Sequence, residues 1–428
     1  MKVLIRTLGC KVNQYESQVM LERLKVAGFS DAEPGGPADL VVINSCTVTA
    51  ASDQKVRQLL RRERRAHPDA VLVLTGCMPQ AFPEVAARYK EADIILGNRS
   101  RAQLLPSVLE YLGNHQRIVS IPSHENSEPF EEMAVSGFHE RTRAFLKIED
   151  GCNRFCAYCI IPYARGRVRS KPLSALQKEV TMLAASGYRE LVLVGINLSA
   201  YGQELGLDLC DAVEIACAAD GIARVRLGSL EPERMDGATV RRLARQKKLC
   251  PQFHLSLQSG CDATLSRMNR HYTSAEYLEI VHRLRDSFPN TAITTDIMVG
   301  FPGETEEEFE ESLSFAREIG FAKAHVFAYS PRPGTRAAEW KDQVPAAVKE
   351  ARSRRMIEET DRIRRAFLET QLGKTEPVLF ETGREGIFTG YTPNYTPVQV
   401  RSEENLCGAL RGVKLASLTD DGCAGELI

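Results

Sequence analysis

The chain of 428 residues (47.6 kDa) is 43% apolar and 26% charged, the composition of a globular protein with two to four domains at ~100–200 residues each. No apolar run approaches the ~20 residues of a membrane helix, and Met1-Lys2-Val3-Leu4-Ile5-Arg6 is charged too early for a secretory signal; a cytoplasmic protein with no membrane partner is expected. With 55 Lys+Arg against 56 Asp+Glu the net charge is −1, which excludes a globally basic nucleic-acid coat but not local basic patches.

Residues 1–120 alternate short apolar strands (Val3–Leu8, Leu40–Asn44, Ala70–Thr75, Asp93–Leu96, Arg117–Ile121) with helical stretches such as Glu16–Ala27 and Asp53–Ala66. That alternation predicts an open parallel sheet. Pro122, Pro129 and Gly137, set among Glu and Ser, make residues 120–138 read as an exposed linker. Residues 138–367 resume the alternation, with strands at Phe145–Glu149, Leu191–Ile196, Arg224–Leu230, Phe253–Gln258, Ala292–Val299 and Ala324–Ser330. Six strands are too few for a closed eight-stranded barrel, so a partial (β/α)6 barrel is expected. A charged helix, about Ala346–Thr370, leads out of it. Residues 371–428 have no helical pattern, and their short strands (Pro377–Glu381, Gly386–Tyr391, Thr396–Val400, Val413–Ser417) predict a small β-barrel. The fold class is α/β: an open parallel-sheet domain, a partial barrel and a small C-terminal β-barrel.

Twelve cysteines without a secretory signal favour metal or redox chemistry over disulfides. Cys152-x3-Cys156-x2-Cys159 follows the first strand of the second alternation. Three thiolates there can wrap one face of an iron–sulfur cluster and leave its fourth iron open to a chelating molecule. A zinc knuckle would need a fourth ligand at short range, and the next Cys and His are Cys210 and His254. Cys10, Cys46 and Cys77 are far apart in sequence, yet each lies just past the end of a predicted strand. In an open parallel sheet those ends line one crevice, so the three could converge on a second cluster; three buried structural thiols explain the same residues equally well. Cys210, Cys217, Cys250, Cys261, Cys407 and Cys423 show no ligand-like grouping.

The Cys152 motif, at the end of the first strand of a βα series, resembles the radical S-adenosylmethionine (SAM) superfamily. In that superfamily the open iron takes the amino and carboxylate groups of SAM, and the reduced cluster cleaves it to a 5′-deoxyadenosyl radical. Leu8-Gly9-Cys10-Lys11-Val12-Asn13-Gln14, Asn44-Ser45-Cys46-Thr47-Val48-Thr49 and Thr75-Gly76-Cys77 resemble the three ligand motifs of the methylthiotransferase family. Together they imply an N-terminal methylthiotransferase domain (1–120), a radical SAM core (138–367) and a C-terminal RNA-binding TRAM domain (371–428). Within the family, Cys10-Lys11-Val12-Asn13 and Gly390-Tyr391-Thr392-Pro393-Asn394-Tyr395 resemble the MtaB branch, which methylthiolates C2 of N6-threonylcarbamoyladenosine at position 37 of tRNA. The resemblance implies two 4Fe–4S clusters, one held by Cys152, Cys156 and Cys159 and one by Cys10, Cys46 and Cys77. It also implies SAM, the tRNA anticodon arm as partner, an electron donor such as flavodoxin or ferredoxin, and a sulfur source. A MiaB-like or RimO-like target is the alternative within the family. A non-catalytic iron–sulfur RNA-binding sensor is the alternative outside it, and would form no 5′-deoxyadenosine from SAM.

Candidate SAM contacts are the strand-end residues Gly195, Asn197, Ser229, Glu231, Ser256, Gln258, Val299 and Gly300, although Gly300-Phe301-Pro302-Gly303 also reads as an ordinary turn. For RNA, six basic residues lie between Lys55 and Arg65 and eight between Arg141 and Lys171. The run Arg165, Arg167, Arg169 could guide a phosphate backbone to the site; each such run also reads as a solvated face. Residues 371–428 hold five Lys/Arg and eight Asp/Glu, an acidic balance for an RNA-binding barrel. There Phe388 and Tyr391 could stack on bases or fill the barrel core.

Overall fold

The computed structural model describes residues 1–137 and 142–428; Phe138, the expected start of the core, and Arg141, the first of the second basic run, lie outside the described residues. The first unit is a six-stranded parallel sheet in which Lys2–Thr7, Leu40–Ser45 and Val71–Gly76 are adjacent, followed by Ile94–Leu96 and Ile118–Ser120. A two-residue edge strand, Ser30–Asp31, pairs with the first. The central strands Leu40–Ser45 and Val71–Gly76 are buried along their whole length, as continuous Val/Ile/Leu runs require when helices cover both faces. The helix Lys11–Val26 begins five residues before the expected Glu16 because Cys10 already serves as its N-cap. Thr49 caps the helix Ala50–Ala66, accepting from the Ser52 N–H.

The second unit has the six expected βα repeats but not one continuous sheet. Arg143–Lys147, Glu190–Val194 and Arg224–Leu227 form a three-stranded parallel sheet. Ser229–Leu230, Gln252–Leu255, Ala292–Val299 and Lys323–Ala328 form a four-stranded one. The predicted strand Arg224–Leu230 is thus two strands, broken at Gly228, whose N–H donates back to Leu193 O. One apolar core runs through both sheets and reaches Tyr15 and Val19 of the first unit. The segment expected as an exposed linker is partly internal: Met133 and Val135 are buried in that core, and the Val135 N–H donates to Glu179.

The helix Ala346–Glu369 leads to a closed five-stranded barrel of Thr375–Arg384, Ile387–Tyr391, Pro397–Arg401, Leu410–Leu418 and Cys423–Leu427, the last strand not having been expected. Among the described residues no helix is long and apolar enough to cross a membrane.

Candidate iron–sulfur centres

Cys46 and Cys77 each follow a residue of one paired register, Ser45↔Gly76, on neighbouring parallel strands. Adjacent strands lie about 4.8 Å apart, so the two thiols emerge side by side. Cys10 comes off the third neighbour, whose end pairs Thr7↔Asn44. The glycines before Cys10 and Cys77 make the approach possible. Gly9 has φ +116°, and a Cβ there would stand 2.9 Å from Cys46 Cβ and 3.3 Å from its Sγ. Gly76 has φ +99°, and a Cβ there would stand 2.5 Å from Ser45 O. Asn13, one turn into the first helix, ties the loops together. Its Nδ2 donates to Leu8 O (3.2 Å) and Ser45 O (2.9 Å), and its Oδ1 accepts from Cys10 Sγ (3.4 Å). Burial and then the neighbouring Cys77 push the Cys46 thiol up to about 11. Iron must displace such protons to bind thiolate.

Cys152, Cys156 and Cys159 sit on a loop closed at its base by the short pairing of Glu149–Asp150 with Arg169–Ser170. The Cys152 N–H donates to Gly166 O (3.0 Å), and the Cys159 N–H to Cys156 O (3.0 Å). Arg270 Nη1 stands 3.5 Å from Cys156 Sγ, and its Nη2 pairs with Glu231 at 2.6 Å. Burial, with Cys156 adding to it, pushes the Cys152 thiol up to about 12. Among the described residues no three His, Cys, Asp or Glu converge on a single-ion position; in a cluster, irons and sulfides separate the protein thiolates.

The SAM candidates divide into two groups. Asn197 Nδ2 lies 3.7 Å from Cys152 Sγ, while its Oδ1 is buried with no partner. Beside it, Glu149 Oε2 accepts the Asn197 N–H (2.7 Å) and Glu149 Oε1 has no partner; burial pushes this carboxyl well above the usual range. Gly195 leaves room for that carboxyl, since a Cβ would stand 2.6 Å from Glu149 Oε2. Two orphaned oxygens beside Cys152 suit an amine-bearing ligand on an open iron. Glu231 and Ser256 hold Arg270, the latter through its carbonyl (2.9 Å), and Ser229 is exposed. Gln258, at φ +70°, lines a cavity of about 220 Å³ with Cys159, Asp296, Met298, Phe327 and, from the loop past Cys46, Val48 and Thr49. Val299 is buried, and the Gly300 turn is taken up by packing: a Cβ there would stand 2.2 Å from Lys349 Cγ.

The RNA candidates are mostly not at the surface. Arg165 is fully buried, with its guanidinium on Glu16, Asn13, Asp150 and Cys77, so it has no face for phosphate. Arg169 is nearly buried against Glu128 and Asp150. Arg167 is exposed, its guanidinium 4.7 Å from the Phe155 ring centre. Phe388 is 8% exposed in the barrel core, which removes it as a stacking platform. Tyr391 stacks on Tyr395 (4.4 Å, 12°), with Arg143 over both rings and Arg224 donating to its carbonyl. It belongs to the seam between barrel and core. Arg270, Glu149 and Asn13 were missed as site residues, and Arg165, expected on phosphate, was missed as a neighbour of the thiols. Asn13, three positions after Cys10, was within reach of the motif; the other three are known only from the tertiary contacts.

Residues 146–316 match the radical SAM superfamily, and residues 2–97 match the uncharacterized protein family UPF0004. The threonylcarbamoyladenosine tRNA methylthiotransferase MtaB of Bacillus subtilis is 37% identical, over 96% of this chain and 93% of its own. The protein of the same name from Thermotoga maritima is 36% identical, over 100% and 98%. A tRNA-2-methylthio-N(6)-dimethylallyladenosine synthase of Pelotomaculum thermopropionicum is 35% identical, over 98% and 97%. Among solved structures, the radical SAM methyltransferase TsrM of Kitasatospora setae shares the fold, with TM-score 0.58 and 15% identity over 79% of this chain and 77% of that one. By its motifs and its full-length relatives, the chain belongs to the radical SAM tRNA methylthiotransferases, the family of the Bacillus and Thermotoga MtaB proteins.

Proposed function

We propose that this protein converts N6-threonylcarbamoyladenosine at position 37 of tRNA to its 2-methylthio derivative, using SAM and two 4Fe–4S clusters. The observation that carries this reading is the cavity that joins Cys159 of the radical motif to the loop past Cys46. Cys159 and, beginning two residues past Cys46, Val48 and Thr49 line it together, and a four-iron cluster held by three thiolates at either site would keep one iron without a protein ligand. Superfamily membership implies SAM and a 4Fe–4S cluster; its seat at Cys152, Cys156 and Cys159, and a second cluster at Cys10, Cys46 and Cys77, are the finer part of the proposal.

When bound, the first cluster and SAM supply the radical that removes hydrogen from C2 of the adenine, and the second supplies the sulfur. The chain's own residues bind and exclude. Asn197 Oδ1, buried without a partner, would accept from the amine of SAM, and Glu149 holds the Asn197 backbone in place. Arg270, fixed by Glu231, neutralises the charge gathering at Cys156. Met298 and Phe327 give the chamber apolar lining. A reduced flavodoxin or ferredoxin delivers the electron, a separate source restores sulfur, and the work is done in the cytoplasm. On the outside, Arg167 and the basic helix Ala50–Ala66 meet the phosphates of the anticodon arm.

Identity alone does not choose the nucleoside, since the dimethylallyladenosine relative is nearly as similar. The segments Cys10-Lys11-Val12-Asn13 and Gly390–Tyr395 favour threonylcarbamoyladenosine. Mass spectrometry of tRNA nucleosides from a host with and without the gene tests this. The 2-methylthio derivative of threonylcarbamoyladenosine should vanish on deletion; loss of a methylthiolated dimethylallyladenosine instead would overturn the assignment.

A further inference from the structure

Arg165 ends the short helix Ile161–Arg165, which starts two residues after Cys159. It is therefore covalently part of the radical motif's own loop. Its side chain nevertheless points into the other site. Nε stands 3.2 Å from Cys77 Sγ, and Nη2 stands 2.9 Å from Asn13 Oδ1, the oxygen that also meets Cys10 Sγ at 3.4 Å. On its other flank Nη1 pairs with Glu16 and lies 3.4 Å from Asp150, two residues before Cys152. Asn98 Nδ2 (2.7 Å) from the N-terminal unit and a ring nitrogen of His124 (3.2 Å) from the connecting segment clamp the preceding carbonyl, Ala164 O. Cys46, by contrast, accepts from the backbone N–H groups of Thr47 and Val48. The radical site has its own guanidinium, Arg270 on Cys156, supplied from within the core.

A fully buried cation that donates to a ligand sulfur withdraws electron density from a cluster and favours its reduced state, because hydrogen bonds to sulfur and net charge set cluster potentials. We propose that Arg165 is a positioning residue that ties the two thiol sites together and raises the reduction potential of the cluster at Cys10, Cys46 and Cys77. The proposal rests on the two-cluster reading. It gives the buried arginine a role that neither RNA binding nor packing supplies: setting which site takes the first electron.

The test uses the full chain with Cys152, Cys156 and Cys159 replaced by Ala, so that a single cluster signal remains. Iron content is measured first. If this parent holds no cluster, the two-cluster reading fails whatever Arg165 does. If it holds one, a potentiometric titration followed by electron paramagnetic resonance compares it with Arg165→Gln and Arg165→Lys. Arg165→Gln, which removes the charge and the Nε donor, is expected to move the midpoint to more negative potential. Arg165→Lys, which keeps the charge but loses the fork, should move it less. A fully iron-loaded Arg165→Gln with the parent's midpoint overturns the proposal. If Arg165→Gln does not load, Arg165→Lys decides in its place: a more negative midpoint supports the proposal and an unchanged one overturns it.

Discussion

Cys152, Cys156 and Cys159 lie within eight residues of chain, on one loop closed by a short antiparallel pairing. Cys10, Cys46 and Cys77 come from three loops and meet only because three parallel strands end in register. The first site is built by local spacing and takes all three thiols from one loop. The second is built by sheet topology, and its lining includes a side chain, Arg165, from the other unit. Damage at the domain seam should therefore reach the second site before the first.

The largest expected difference is chemical. Replacing Cys152, Cys156 and Cys159 with Ala should abolish 5′-deoxyadenosine formation from SAM. Replacing Cys10, Cys46 and Cys77 should leave that cleavage running and end methylthiolation; chromatography of both products checks this. Next comes the seam. Glu16 is fully buried among Arg101, Arg165 and Lys147, and Glu16→Gln leaves those cations under-compensated. A loss of about 3–5 kcal/mol is expected for a broken buried pair, measured as a lower urea midpoint, with iron lost from the Cys10 site first. The same carboxyl predicts an acid response. Burial alone would raise it, but Arg101, Arg165 and Lys147 outweigh burial and hold it down to about 2. A lowered folded value means that the stabilisation is complete above the ordinary carboxylate range near 4.5 and is lost as the pH falls from there toward 2. Urea midpoints measured down that range should drop, and Glu16→Gln should flatten the drop. The smallest effect separates two neighbours in one basic run. Arg167→Ala should lower the salt slope of tRNA binding by about 0.7–0.9, one phosphate contact, with the fold intact. An unchanged slope would make Arg167 a solvated loop residue.

Much of this architecture was legible because the central strands of the three parallel sheets carry apolar runs bounded by turn residues, and because Cys10, Cys46 and Cys77 closely follow such runs. What escaped depends on partners distant in sequence. Arg165, Arg167 and Arg169 are indistinguishable as letters, yet only Arg167 is exposed, because Glu16 across the domain seam and Asp150 on its own side take up Arg165. Gly228 splits one predicted strand into two. Met133 and Val135 sit in a segment whose Pro and Glu content suggested solvent, and two apolar side chains were enough to draw it inside. Phe388 and Tyr391 could each have been platform or packing; the barrel's closure put one in its core and its docking put the other at the seam.

The central claim is that two three-thiol sites each hold a four-iron cluster. The direct measurement is iron per chain, with Mössbauer spectra, on anaerobically reconstituted intact protein and on each triple-Ala variant. About eight irons are predicted for the intact chain and about four for either variant, all as 4Fe–4S centres. About four irons in the intact chain, with none left after loss of Cys152, Cys156 and Cys159, would contradict the account.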